Sequence, residues 1–349
     1  MDRSLRIGVP GGLGLCAHCL AFSARHRPRT RLATARGTRE PLAAHRTGCN
    51  AVTRSTTDAQ EGRVPEDPTR SPAGRPGSEI LTASGVSVSF QTAAGARIDA
   101  VDAVDLGIHE GEFVSIIGPS GCGKSTLLRA FGGLTRLSSG TVTLDGERVV
   151  RPQPDKIAFV FQDYTLFPWR TVLANTVMGL QFRGVGRRER EETARHFLQL
   201  VGLDWCAGSF PAELSGGMQQ RVAIARALTM NPSVLLMDEP FGALDEQTRT
   251  LLGSELARIV EETGKTVVFV THSLAEAVFL SDRVLVMSAR PGQIKDVVEV
   301  PAQRPRDESF LTSEVFDRLR RRIFSSLIEE VHRQAAVNEE YRRAGTSDS

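Results

Sequence analysis

From residue 79 onward, short apolar runs alternate with helical or turn signals. Residues 114–117, 157–161, 234–237, 267–270 and 284–287 are dominated by Val, Ile, Leu, Phe and Met. Such continuous runs suit strands buried on both faces of a parallel sheet. Residues Glu246–Thr263 place Leu252, Leu256 and Ile259 on one helical face and stop before Gly264, a residue suited to a left-handed cap. A last periodic segment, 312–335, aligns Phe316, Leu319, Ile323, Leu327 and Val331, which predicts a terminal helix packed on the core. Strands alternating with helices predict an α/β layout.

Composition divides the chain in two. The whole has 349 residues, with 43 Lys and Arg against 41 Asp and Glu, a formal charge of +2. That balance excludes a chain that coats nucleic acid by charge. Residues 1–78 hold thirteen Arg, no Lys and six acids, a local +7, which leaves −5 for the remainder. The same segment has only eleven Leu, Ile, Val and Phe but sixteen Gly and Pro, too little apolar surface to offset the entropy of ordering the backbone. Disorder is predicted there. A solvated arm, an Arg-rich targeting segment and a start assigned upstream of the real one all fit that composition. A cleavable secretory signal fits badly, because 8–22 is broken by Pro10, Cys16, His18 and Cys19.

No window reaches the roughly 18 consecutive apolar residues of a spanning helix, so a membrane role is expected to be peripheral. The five cysteines, three of them before residue 79, form no disulfide framework. Cys16, His18 and Cys19 resemble half a metal site without its second pair, and read as a chance cluster. A reducing compartment is expected.

The chemistry begins where the run 114–117 ends. Gly118-Pro119-Ser120-Gly121-Cys122-Gly123-Lys124-Ser125-Thr126 matches the phosphate-binding pattern GxxxxGK[ST], between a strand and a helix starting near Lys124. The glycines let successive backbone N–H groups turn inward on a phosphate, and the helix N-terminus adds its positive end. Lys124 reaches β and γ oxygens, and Ser125 offers a hydroxyl to Mg²⁺. Cys122, near a helix N-terminus, is expected to be an acidified and alkylatable thiol, with an inert thiol as the alternative. The run 234–237 delivers Asp238 and Glu239 at its end, where open α/β sheets meet ligands. Asp238 is read as a Mg²⁺ ligand and Glu239 as the base that orients water.

Leu214-Ser215-Gly216-Gly217-Met218-Gln219-Gln220-Arg221 resembles the signature motif of the ABC ATPases. That resemblance implies a P-loop fold with a RecA-like core, an antiparallel β subdomain and an inserted helical subdomain at about 163–228. It implies ATP and Mg²⁺ as ligands and a head-to-tail homodimer, in which Ser215, Gly216 and Gly217 of one copy cap the γ-phosphate held by the other. Gln162 matches the Q-loop glutamine that senses Mg²⁺ and the water. Asp245, in Gly242-Ala243-Leu244-Asp245, matches the partner-facing D-loop, and His272 the switch histidine at the γ-phosphate. Phe90 stands where the family places an aromatic under adenine, although core filler is the other reading of a half-buried strand Phe.

A finer likeness points to transport. Leu166-Phe167-Pro168-Trp169-Arg170-Thr171-Val172-Leu173, Ala289-Arg290-Pro291-Gly292 and Arg304-Pro305-Arg306-Asp307 resemble stretches of the nitrate, sulfonate and taurine importer ATPases. This implies two integral-membrane permease subunits contacted at Phe167 and Trp169, a solute-binding protein met indirectly, no nucleic-acid partner, and a peripheral place on the cytoplasmic face of the membrane. The cargo would be a small anionic or sulfonate-type solute. The competing reading is a soluble ABC ATPase in assembly or DNA maintenance. Ser215 follows Gly123 by only 92 positions, which leaves no room for the long coiled coil of chromosome ATPases.

Overall fold

The computed structural model describes residues 78–92, 95–242 and 244–345. Residues 1–77, including the basic segment and Cys16, His18 and Cys19, lie outside the described residues, as does Ala243.

The hairpin β1 (Glu79–Gln91) and β2 (Arg97–His109) precedes β3 (Phe113–Ile117), α1 (Lys124–Phe131), β4 (Ser139–Leu144), the short β5 (Glu147–Arg148) and β6 (Ile157–Val160). Four helices follow: α2 (Val172–Thr176), α3 (Met178–Phe182), α4 (Arg187–Leu200) and α5 (Gly216–Leu228). The chain continues through β7 (Val234–Asp238), α6 (Glu246–Thr263), β8 (Thr266–Val270), α7 (Leu274–Leu280), β9 (Arg283–Met287), β10 (Ile294–Glu299) and α8 (Glu314–Gly345). One sheet is antiparallel with order β2-β1-β4-β5, and the other has order β10-β9-β3-β8-β7-β6. In the second sheet β9, β3, β8, β7 and β6 run parallel, and β10 adds antiparallel to β9.

The apolar runs are therefore the parallel strands, and the pleat divides their side chains. Phe113, Leu235, Met237, Val267, Phe269, Val284 and Val286 enter one core with the helices after β6. Val114, Ile116, Val234, Leu236, Val268, Val270, Leu285 and Met287 enter a second core with α1 and the antiparallel sheet. Each such side chain contributes roughly 1.5–3 kcal/mol of transfer free energy on burial, which is why neither face of these strands carries the polar alternation of a solvated sheet.

The predicted helix Glu246–Thr263 forms with those bounds, and Gly264 closes it at φ 60°, ψ 28°. Its Leu252, Leu256 and Ile259 are buried. The terminal helix α8 extends well past the predicted 335. Phe316, Leu319 and Ile323 join the core as expected, but Val331 is 41% exposed, so the buried stripe ends sooner than the periodicity suggests. Among the described residues no helix is long and apolar enough to cross a membrane.

Candidate active site

Strand β3 and helix α1 hold the phosphate loop between them. Gly123 stands before α1 at φ 111°, and a Cβ there would lie 2.5 Å from the Ala100 carbonyl oxygen, so only glycine admits the close approach of β2. No side chain caps the helix, and its first turn holds no acid. The free N–H groups and the positive helix end thus stay available to an anion. The Lys124 ammonium is buried and donates to the carbonyls of Gly118 and Pro119, each at 2.9 Å.

Cys122 corrects an expectation. Its side chain is fully buried, turned away from solvent among the apolar residues of the second core. Burial pushes the thiol up, and the nearby Lys124 charge only partly opposes that. The helix-end argument fails here because desolvation of a thiolate outweighs a partial dipole charge. The residue contributes main chain to the loop.

The end of β7 meets the start of α1. Ser125 Oγ donates to Asp238 Oδ1 at 2.7 Å, and Arg129 lies 3.9 Å from Asp238 Oδ2. Burial raises the Asp238 carboxyl above its ordinary range, while the Ser125 hydrogen bond and the Arg129 charge pull the other way. Glu239, one residue on, adopts φ 45°, the left-handed region, and its N–H donates to the Val270 carbonyl at 2.9 Å. This turn costs about 1–2 kcal/mol for a residue with a Cβ, and it takes the carboxylate off the line of the strand. His272, just beyond β8, places Nδ1 3.4 Å from Glu239 Oε2.

A cavity of about 490 Å³ opens over this ground. Phe90, Ser120, Gly121, Gly123, Lys124, Ser125, Thr126, Gln162 and Glu239 line it, so residues drawn from four separate stretches of sequence share one wall. Phe90 is 47% exposed, which excludes the core-filler reading.

Ser215, Gly216, Gly217 and Asp245 are not among the residues lining that cavity. Ser215 is the N-cap of α5 and accepts from the Met218 N–H at 3.3 Å. Asp245 is the N-cap of α6, accepting from the Thr248 N–H at 2.9 Å and its hydroxyl at 2.7 Å. The backbone bond first, then the hydroxyl, hold its carboxyl below the usual range.

Three residues to which the sequence assigned no role are structurally prominent. The Arg290 guanidinium lines the cavity and donates to the Gly121 carbonyl from Nη2 at 2.8 Å and Nε at 3.2 Å. Asn175 is fully buried and pins the loop after Gln162: it accepts from the Phe167 N–H at 2.8 Å and donates to the carbonyls of Phe167, Arg170 and Thr171. Arg226 of α5 holds the start of the same loop through the carbonyls of Tyr164 and Thr165. A polar residue inside an apolar helix was the available signal for Asn175. Arg290 stood out only as part of the stretch 289–292 that resembles the importer ATPases, and nothing local distinguished Arg226, because its partners lie far away in sequence.

A family model described as ABC transporter matches residues 101–242. An ABC transporter ATP-binding protein of Methanocaldococcus jannaschii is 51% identical over 237 residues, covering 68% of this chain and 87% of that relative. The taurine import ATP-binding protein of Rhizobium johnstonii is 52% identical over 215 residues, covering 62% of this chain and 82% of the relative. Among solved structures, a dimeric post-hydrolysis ATP-binding cassette bound to ADP and Pi matches with a TM-score of 0.58 at 36% identity, over 64% of this chain and 100% of that one. Identity of this order across most of each relative, on the same fold, means that the chain belongs to the ABC transporter ATP-binding proteins and is an ATP-hydrolysing cassette.

Proposed function

We propose that the chain is the ATPase subunit of an importer for a small anionic or sulfonate-type solute, working as a head-to-tail homodimer beneath two permease subunits. One feature supports this most directly. The loop after Gln162 carries Trp169, 71% exposed and set edge-on against Phe167 at 5.4 Å, while the buried Asn175 locks that loop in shape. A rigid exposed aromatic one short loop away from a cavity-lining glutamine suits a permease contact that reports on nucleotide. The likeness of 166–173 to the taurine and sulfonate importers gives the solute class. The solute-binding protein would act only through the permease, on the far side of the membrane, and the cassette would sit peripherally at the cytoplasmic face. No nucleic-acid partner is expected.

The hydrolytic site is built on the cavity. Adenine would stack on Phe90, and the phosphates would take the amides of 120–126 and the Lys124 ammonium. The Ser125 hydroxyl, hydrogen-bonded to the Asp238 carboxylate, and the Gln162 side chain, which lines the same cavity as Ser125, would supply hard oxygen donors suited to Mg²⁺. When bound, the ion would neutralise negative charge on the phosphates. Glu239 would accept a proton from the attacking water, and His272 beside it would hold the γ-phosphate in line. Ser215 to Gly217 and Asp245, which stand away from the cavity of their own chain, would complete that of a second copy.

Coexpression with a permease encoded nearby tests the reading. Copurification and stimulated ATPase activity are expected. Activity coupled to DNA without any permease would favour a soluble maintenance factor instead.

A further inference from the structure

Arg290 and Lys124 are the two cations that line the cavity. Lys124 bonds only to loop carbonyls, and so does Arg290, through Gly121. Among the described residues neither makes an ion pair with a carboxylate, and Glu239 is the one acid in the same lining, so the lining carries two positive charges against one negative. That arrangement suits an anion bearing several charges. A guanidinium has five N–H donors in a rigid fork, and the Gly121 carbonyl engages only its Nε and Nη2 sides.

The turn that carries Arg290 is tied down on two sides. Toward β2, the Gly292 N–H donates to the Ala100 carbonyl at 3.0 Å, and the Asp102 N–H donates to the Gly292 carbonyl at 3.0 Å. A Cβ on Gly292 would lie 2.2 Å from the Cys122 carbonyl oxygen, so the turn presses directly on the phosphate loop. Toward α8, the Ala289 N–H donates to Glu330 Oε2 at 2.9 Å. Glu330 is fully buried and paired with Lys295 at 3.0 Å. Burial pushes its carboxyl up, but the Ala289 N–H and Lys295 outweigh this and hold it below the usual range. The residue is thus an anchored anion inside the terminal helix, bonded to the residue next to a cavity arginine.

We propose that Arg290 is a second phosphate-binding cation of the nucleotide site, and that Glu330 of α8 is its positioning residue, so that the terminal helix sets the affinity for ATP. This rests on the nucleotide seat proposed for the cavity. The contact with Gly121 would fix one edge of the guanidinium while its remaining donors serve the polyphosphate. The Glu330 bond to Ala289 would hold the turn at the depth that makes this possible.

The test is equilibrium binding of a ribose-labelled fluorescent ATP to the full chain and its variants. Arg290 is exposed, so its variants should fold, and circular dichroism checks this. Arg290→Ala is expected to weaken binding about tenfold, the factor of one good charged contact. Arg290→Lys should recover part of the loss. Arg290→Gln can still donate to the Gly121 carbonyl but has no charge, and should bind as poorly as Arg290→Ala. Glu330→Gln should weaken binding about threefold in the wild-type background and have no effect in the Arg290→Ala background, because it acts through the arginine. Wild-type affinity in Arg290→Gln would mean that the residue only holds the loop, and would overturn the proposal. So would a Glu330→Gln effect that persists without Arg290. If Glu330→Gln does not fold, the arginine series alone decides. Absence of ATP binding by the wild-type chain would remove the nucleotide seat itself, whereas wild-type binding with unchanged Arg290 variants would remove only the role of the arginine.

Discussion

The Ser125 hydroxyl donates a 2.7 Å hydrogen bond to the Asp238 carboxylate, joining two motifs 113 residues apart. Parallel pairing brings this about: β8 lies between β3 and β7, so the loop after β3 and the carboxyl end of β7 emerge on the same edge of the sheet.

Asp238 should trade stability for function. Its pKa is raised in the folded chain by burial, so the stability attached to this group is present below its unfolded value and is lost as pH rises through the folded one. At pH 7 the buried charge is a cost. Asp238→Asn should therefore melt higher than wild type at pH 7 in a chelating buffer, with the advantage shrinking toward acid pH, while ATP hydrolysis collapses. An equal melting difference at both pH values would contradict the assigned titration.

Glu239 should be separable from nucleotide binding. The variant Glu239→Gln keeps the side-chain volume and removes the base, so ATP affinity should persist while turnover falls by about 10²–10⁴-fold. Gel filtration with ATP should show a trapped dimer. Full turnover in this variant would remove Glu239 from its role.

Cys122 should resist alkylation. The buried thiol with a raised pKa has little thiolate at neutral pH. Cys206 is also buried, with its pKa raised first by burial. Mass mapping after brief iodoacetamide treatment should find both unmodified in the folded chain and modified in urea. Rapid labelling of Cys122 in the native chain would show that the loop opens.

Trp169 and Asn175 should fail in different assays. Asn175→Ala removes four hydrogen bonds from a buried site and should cost about 2–4 kcal/mol in denaturant unfolding. Trp169→Ala, at an exposed position, should shift stability by no more than about 0.5 kcal/mol but should weaken copurification with the permease. If Trp169→Ala leaves copurification intact, the loop is not the permease contact.

Much of the fold was legible because its signals are local. A strand buried on both faces must be apolar along its whole length, so β3, β6, β7, β8 and β9 appear as runs within a residue or so of their bounds. Helix α6 announces its own periodicity and its glycine stop. The antiparallel strands β1 and β2 carry no such signal: their register shifts, including one between Ala83 and Val86, interrupt the period of two on which strand reading depends. In α8 the periodicity ran on to Val331, but the core surface it covers had already ended.

The amino-acid sequence by itself determined the phosphate loop, since a glycine-rich turn between a strand and a helix builds its anion seat from adjacent residues. It also determined which carboxylates leave the sheet at the end of β7, because Asp238 and Glu239 are joined directly to that strand and must emerge where it ends. Tertiary structure alone decided that Ser125 meets Asp238, that the Cys122 thiol faces the core, that Glu239 lies beside His272, and that Arg290 lines the cavity while Glu330 bonds the neighbouring Ala289. These depend on distances between segments remote in sequence, and such distances are set by sheet order and packing rather than by any property of the neighbouring residues.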